Sequence, residues 1–305
     1  MAEQISRVGI VGLGAMGMGI GRSMLRAGLE VHACDMRPEA VQTLVEAGAH
    51  AAASPAALAG KVDALVIVVV NAVQTEAVLF GEQGAAANLK PGSVVIACAT
   101  VAPEFAEALG VRLVAMGLRF IDAPISGGAA RAASGEMTVM AAGAPEAFAS
   151  CERLFDAISS KLYRLGVQPG QGSKVKMINQ LLAGVHIAAA AEAMALGLRA
   201  GCDPDALYEV ISNSAGSSWM FQNRVPHILA GDYTPLSAVN IFVKDLGLVL
   251  DYAKKSVFPL PLSATAHQMF MQASAAGHGG EDDSAGIKLF PGITLPAARN
   301  GNQAS

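Results

Sequence analysis

The chain has 305 residues, of which 52% are hydrophobic and 15% charged, with 33 Gly and 14 Pro. At about 100–200 residues per domain this length suits two domains, each rich enough in apolar residues to bury a core, and it excludes a disordered chain. A net charge of −4, with no basic run longer than Lys254-Lys255, argues against a nucleic-acid partner. Cys34, Cys98, Cys151 and Cys202 form no CxxC pair and no disulfide framework, which points to a reducing compartment. The start, MAEQISRVGIVGLG, lacks the basic and apolar regions of a secretory signal. The longest uncharged stretch, 256–280, contains Pro259, Pro261, two His and two Gln, so it is not a clean lipid-facing helix. The expectation is a soluble, cytoplasmic protein with no membrane partner.

In chain order, RVGIVG (7–12) reads as a strand followed by a helix over 16–27. The β-rich runs EVHACD (30–35), VDALVIVVV (62–70), SVVIACA (93–99) and LRFIDAP (118–124) follow. Pro38, Pro55 and Pro103 stand at helix starts between them. The runs are apolar throughout rather than alternating, as strands buried on both faces of a parallel sheet should be. Repeated βα units predict a doubly wound α/β domain, with EMTVMAAG and KLYRLG as added edge strands. After VQPGQG the texture changes. A long Ala- and Leu-rich helix over 173–200, capped by Gly201, leads into helices at 204–213, 240–255 and 262–275. The division expected is 1–167 for the α/β domain and 168–305 for an all-α domain.

Gly12-Leu13-Gly14-Ala15-Met16-Gly17 spells GxGxxG between strand and helix, and Asp35 ends the second strand. In that setting Gly12 makes the tight turn, Gly14 lets the backbone approach a pyrophosphate, and Gly17 allows close helix packing. Asp35 can accept the ribose hydroxyls of NAD and would repel the extra phosphate of NADP. Arg37 keeps NADP open, because a guanidinium there could meet that phosphate. Six scattered histidines give no metal-ligand spacing, and there is no GxSxG or Walker pattern.

Lys176 sits near the start of the long helix, with Asn179 and Gln180 three and four residues on along the same face. A lysine withdrawn from water can serve as acid or base near neutrality. Spacing alone favours a solvated lysine. Lys174 competes with it, but points to another face of the helix.

VGIVGLGAMGMG, Asp122-Ala123-Pro124-Ile125-Ser126-Gly127-Gly128, Gly170-Gln171-Gly172 before Lys176-Met177-Ile178-Asn179, and Lys244-Asp245-Leu246-Gly247 together resemble the 3-hydroxyacid dehydrogenase family, in its order and spacing over nearly the whole chain. The resemblance implies a Rossmann domain, a long interdomain helix and a helical domain, with the active site in the cleft between them. It implies NAD as cofactor, Lys176 as the catalytic residue, and Ser126, Gly127 and Gly128 as the segment binding the substrate carboxylate. It also implies Asn179 as a substrate contact, Thr100 beside the nicotinamide, and Lys244 closing the cofactor site. Two positions depart from the family: Ala99 replaces the usual Ser, and Gln180 replaces a second Asn.

The stretches 179–196, 217–251 and 279–296 most resemble family members acting on sugar acids, which implies a small polyhydroxylated acid as substrate. Asn213, Ser217 and Ser218 offer polar groups for it, although helix capping explains them more simply. Trp219 and Phe221 read as core or interface. Glu281, Asp282 and Asp283 read as favouring a helix start, with a subunit-interface role open. The alternatives are a dehydrogenase for 3-hydroxyisobutyrate or tartronate semialdehyde, an imine reductase, and a non-catalytic NAD-binding sensor. Lys176 argues against the last two, and the apolar surface implied by the long helix and by 256–280 favours a homodimer or homotetramer.

Overall fold

The computed structural model describes residues 4–297, and the chain divides into two compact units after Met177. The first unit is built on a nine-stranded sheet. Its strands are β1 (Arg7–Val11), β2 (Glu30–Cys34), β3 (His50–Ala51), β4 (Ala64–Ile67), β5 (Val94–Ala97), β6 (Arg119–Asp122), β7 (Ile125–Ser126), β8 (Met137–Gly143) and β9 (Ser159–Arg164). They run in the order β3-β2-β1-β4-β5-β6-β8-β7, with β9 beside β8. The stretch β3-β2-β1-β4-β5-β6 is parallel throughout, which is the doubly wound order of a Rossmann sheet. β8 runs antiparallel to β6 and β7, and EMTVMAAG and KLYRLG form β8 and β9. The two-residue strands β3 and β7 are too short to carry a pattern in sequence.

Both sheet faces are covered. Val8, Ile10, Val31, Val66 and Ile96 pack with Ile20, Met24 and Phe155 on one face. Val11, Leu65, Ile67 and Val95 pack with Leu58, Leu109 and Leu113 on the other. Successive strand residues point to opposite faces, so each must be apolar, which is why these runs never alternate. The helices Pro38–Val45, Pro55–Ala59 and Pro103–Ala115 each begin at the expected proline.

The second unit is helical. The 29-residue helix Gln171–Arg199 runs on into it, followed by Pro204–Ser212, Trp219–Ala230, Val239–Lys255 and Pro261–Ala273. A 3₁₀ turn, Asp283–Leu289, completes it. Ala183, Ile187, Phe242, Leu246 and Phe270 form one core, and Met194, Phe221, Val225, Ile228 and Ile287 another. Gly184 lies so close to Leu246 that an added Cβ would come within 2.9 Å of its side chain. By length and composition the long helix could cross a membrane, but 44% of its most apolar window is buried inside the protein.

The helix Trp219–Ala230 is absent from the sequence reading because Pro226 lies inside it. A proline there donates nothing to the carbonyl four residues back, that of Gln222. The Tyr208 hydroxyl donates to that carbonyl instead, at 3.1 Å. Ser218 caps the start by accepting from the Phe221 N–H, and left-handed Gly231 ends the helix.

Candidate active site

The glycine turn lies where β1 enters its helix, at the C-terminal edge of the parallel strands. Gly12 has φ +95°, and a Cβ there would strike the Val68 carbonyl after β4. A Cβ on Gly17 would strike the Gly12 carbonyl, so the helix seats on the turn only without one. Gly14 differs: nothing lies within 4 Å of where its Cβ would be. Gly14 is the N-cap of the helix Ala15–Arg26, which no side chain caps, and the first N–H groups of a helix favour a phosphate. Ala15 and Met16 form the first helical turn.

Asp35 follows β2 directly and is tied to this turn. Its carboxylate accepts from the Leu13 N–H at 2.6 Å and from the Arg37 N–H at 2.9 Å. The Arg37 guanidinium donates to Asp35 at 3.1 Å and to the Leu13 carbonyl at 3.0 Å. Burial pushes the Asp35 carboxyl up, but the Arg37 and Leu13 hydrogen bonds outweigh it and hold it below the usual value. Open approach at Gly14 and an ionised carboxylate at the second strand end fit a dinucleotide. The Arg37 guanidinium, though paired with Asp35, stays half-exposed. Thr100 follows β5 at the same edge, after the buried Ala99.

A second cluster forms where β6 ends. Asp122 is buried, and its carboxyl accepts from the Gly170 and Ser173 N–H groups, both at 2.9 Å, and from the Ser173 hydroxyl at 2.7 Å. Burial raises the Asp122 carboxyl above its ordinary value despite these bonds. Gly170 has φ +92°, and Gly172 lies so close to the Met140 and Asp122 carbonyls that no side chain would fit. The two glycines thus let the long helix begin against β6 and β8. Asp122 was visible in the sequence only as part of a motif. The signal available was a lone acid ending an apolar strand.

One turn beyond Ser173 on the same face stands Lys176, 6% exposed. Lys174 is half-exposed and bonds Glu107 at 3.0 Å, so the two lysines are separated as their helical angle predicts. Ser126 ends β7, and Gly127 and Gly128 follow with φ +134° and +73°. Such angles suit glycine and are strained for any other residue.

In the helical unit, Asn179 Nδ2 donates to Gln180 Oε1 at 3.1 Å, and Gln180 Nε2 donates to Asp245 at 2.6 Å. Lys244 is ion-paired to the other Asp245 oxygen. The remaining sequence candidates are absorbed locally. Asn213 donates to the Glu209 carbonyl, Ser217 accepts from Gln222, and Ser218 is a cap. Phe221 is buried and stacks on Tyr208, while Trp219 is half-exposed. Asp282 caps the 3₁₀ turn, Asp283 pairs with buried Arg224, and Glu281 pairs with Lys288. Among the described residues no cluster of metal-ligating side chains occurs.

Two family models match the chain: the NAD binding domain of 6-phosphogluconate dehydrogenase over residues 7–166, and the NAD-binding region of NADP-dependent 3-hydroxyisobutyrate dehydrogenase over 170–290. The L-threonate dehydrogenase of Cupriavidus necator is 68% identical, over 95% of this chain and 97% of that one. The L-threonate dehydrogenase of Escherichia coli K12 is 56% identical, over 96% of this chain and 97% of its own length. A crystal structure of a 3-hydroxyisobutyrate dehydrogenase from Salmonella typhimurium superposes with a TM-score of 0.90 at 56% identity, covering 93% of this chain and 99% of that one.

Proposed function

The chain belongs to the 3-hydroxyacid dehydrogenase family and is an NAD-dependent hydroxyacid dehydrogenase, and from that premise we propose that it oxidises the C2 hydroxyl of L-threonate to the 2-oxo acid, 2-dehydro-L-erythronate. The observation that carries this substrate is the 68% identity with the Cupriavidus L-threonate dehydrogenase along almost the full length of both chains. NAD, when bound, supplies the acceptor for the C2 hydride.

The chain's own residues hold the acid and move the proton. Lys176 is withdrawn from bulk water and takes the proton of the C2 hydroxyl as the carbonyl forms. The Ser126–Gly128 turn holds the carboxylate through its main-chain N–H groups, which two glycines leave open to close approach. Asn179 contacts a substrate oxygen, Thr100 stands beside the nicotinamide, and Lys244 contacts the cofactor. Gly12, Leu13, Gly14, Ala15, Met16 and Gly17 cradle the pyrophosphate, and Asp35 accepts the ribose hydroxyls. Met36, 99% exposed beside Asp35, adds an apolar surface for the adenine that sequence reasoning passed over.

A homodimer or homotetramer is supported by apolar side chains left outside. Ile178, Leu182 and Leu196 are exposed along the long helix, as are Phe258, Leu262 and Met271 further on. Four cysteines without a disulfide support a cytoplasmic setting.

The name of the Salmonella structure favours 3-hydroxyisobutyrate as a second reading. Following NADH formation with L-threonate and 3-hydroxyisobutyrate, and NADH consumption with tartronate semialdehyde, separates them. The highest kcat/KM is expected with L-threonate. A higher value with either other acid overturns the assignment.

A further inference from the structure

The chain Asn179–Gln180–Asp245–Lys244 has a direction. The carboxylate of Asp245, 2% exposed, is an acceptor in its pair with Lys244, so only an N–H can face it from the other side. Gln180, itself buried, must therefore turn Nε2 toward Asp245, as the 2.6 Å bond shows. Its amide is planar, so Oε1 looks the opposite way and can only accept. Asn179 meets it with Nδ2 at 3.1 Å. The usual freedom of an amide to present either end is thus removed twice over, and the ion-paired carboxylate of Asp245 is what removes it.

Building on the placement of Asn179 at the substrate, we propose that Gln180 and Asp245 are positioning residues that fix the Asn179 amide so that its carbonyl Oδ1 faces the substrate as an acceptor, selecting a hydroxyl on the carbon chain. An acceptor there rewards a substrate O–H and gives nothing to a methyl or methylene in its place. This gives Gln180 a specific purpose. An asparagine is one methylene shorter, so it shortens the span between Asn179 and Asp245 that Gln180 bridges with bonds of 3.1 and 2.6 Å. The departure from the family at this position is therefore a specificity feature for polyhydroxylated acids.

The test compares L-threonate with 2,4-dihydroxybutanoate and 2,3-dihydroxybutanoate, which lack the C3 and C4 hydroxyls respectively. The purified full-length enzymes are wild type, Asn179→Ala, Gln180→Met and the double variant. Asn179→Ala should lower the preference for L-threonate over one analogue about five- to tenfold, the worth of one hydrogen bond. Gln180→Met should lower that same preference, raising KM for L-threonate more than it lowers kcat. The double variant should be no worse than Asn179→Ala alone, because both changes remove one contact. A wild-type preference in Gln180→Met, or additive losses in the double variant, overturns the proposal. An unchanged preference in Asn179→Ala removes Asn179 from the substrate, and overturns the underlying site reading along with it. If Gln180→Met does not fold, Gln180→Asn keeps an amide on a shorter side chain and is expected to show the same loss.

Discussion

The two units build their sites from different materials. In the Rossmann unit the tight approaches are made by main chain. Gly12, Gly17 and Gly172 leave no room for a Cβ, and Gly14 leaves room that a ligand needs. In the helical unit the ordering elements are ion pairs on buried carboxylates, Lys244 with Asp245 and Arg224 with Asp283. A backbone site fails when something is added. A buried ionic site fails when one partner is taken away.

The sharpest break in this contrast is at the one side chain proposed to do chemistry. Lys176→Ala should fold and bind NAD yet lose about 10²–10⁴-fold in turnover, the usual worth of a positioned acid–base group. Lys174→Ala, which removes a half-exposed pair with Glu107, should stay within a few-fold of wild type. Steady-state rates with saturating NAD decide it, and a Lys176→Ala enzyme within a few-fold of wild type rejects the role.

Stability distinguishes the units next. Arg224 grips Asp283 through two bonds at 2.5 and 3.1 Å, with the Asp283 side chain fully buried. Arg224→Met strands that carboxylate and should cost about 3–5 kcal/mol in urea unfolding. Adding Asp283→Leu should recover much of the loss. A loss in the single variant below about 1 kcal/mol, the range of an exposed pair, would place this ion pair with surface pairs instead.

Cofactor choice should shift by a smaller factor. An ionised Asp35 beside a 2′-phosphate predicts at least roughly a hundredfold preference for NAD in kcat/KM. Asp35→Ser should narrow it. Arg37→Ala should leave NAD use nearly unchanged, although it frees the Leu13 carbonyl that Arg37 now bonds. Wild-type use of NADP alongside NAD, or a crippled Arg37→Ala enzyme, would transfer the choice to Arg37.

The mildest effect is a slope with pH. Burial pushes the Asp283 carboxyl up to about 6 against the pull of Arg224. A raised acid holds its proton longer in the folded chain than in the unfolded one. The stability that this gives is full below the ordinary carboxylate range and is lost as pH rises toward about 6. Wild-type stability relative to Asp283→Asn should therefore fall over that window and level off above it. A flat difference in urea titrations across the window contradicts the raised value.

What could be read in advance follows the same division. Main-chain sites leave their mark in residue identity, because only glycine satisfies them, and so the turn at Gly12–Gly17 stood out, whereas Gly127-Gly128 was reached only through the family resemblance. The parallel strands were legible because burial on both faces demands unbroken apolar runs. The helix Trp219–Ala230 was not, since the rescue of the Gln222 carbonyl depends on Tyr208, 14 residues away in sequence. Arg224 with Asp283, and Gln180 with Asp245, are separated by 59 and 65 residues, and no local pattern announces such partners. Asp122 lies between the two cases. Its place at the end of β6 was visible, but its bonds to residues 170 and 173 depend on the fold.

Asp122 also settles a competition. The beginning of a 29-residue helix is a natural harbour for any small anion, and a substrate acid with two orientations available would berth in both. Here two of the N–H groups at that mooring are taken by a tethered carboxyl that never leaves. The N–H groups of Gly170 and Ser173 are thereby closed to any arriving acid. A side chain of the protein's own thus does at this helix start what a bound anion would otherwise do.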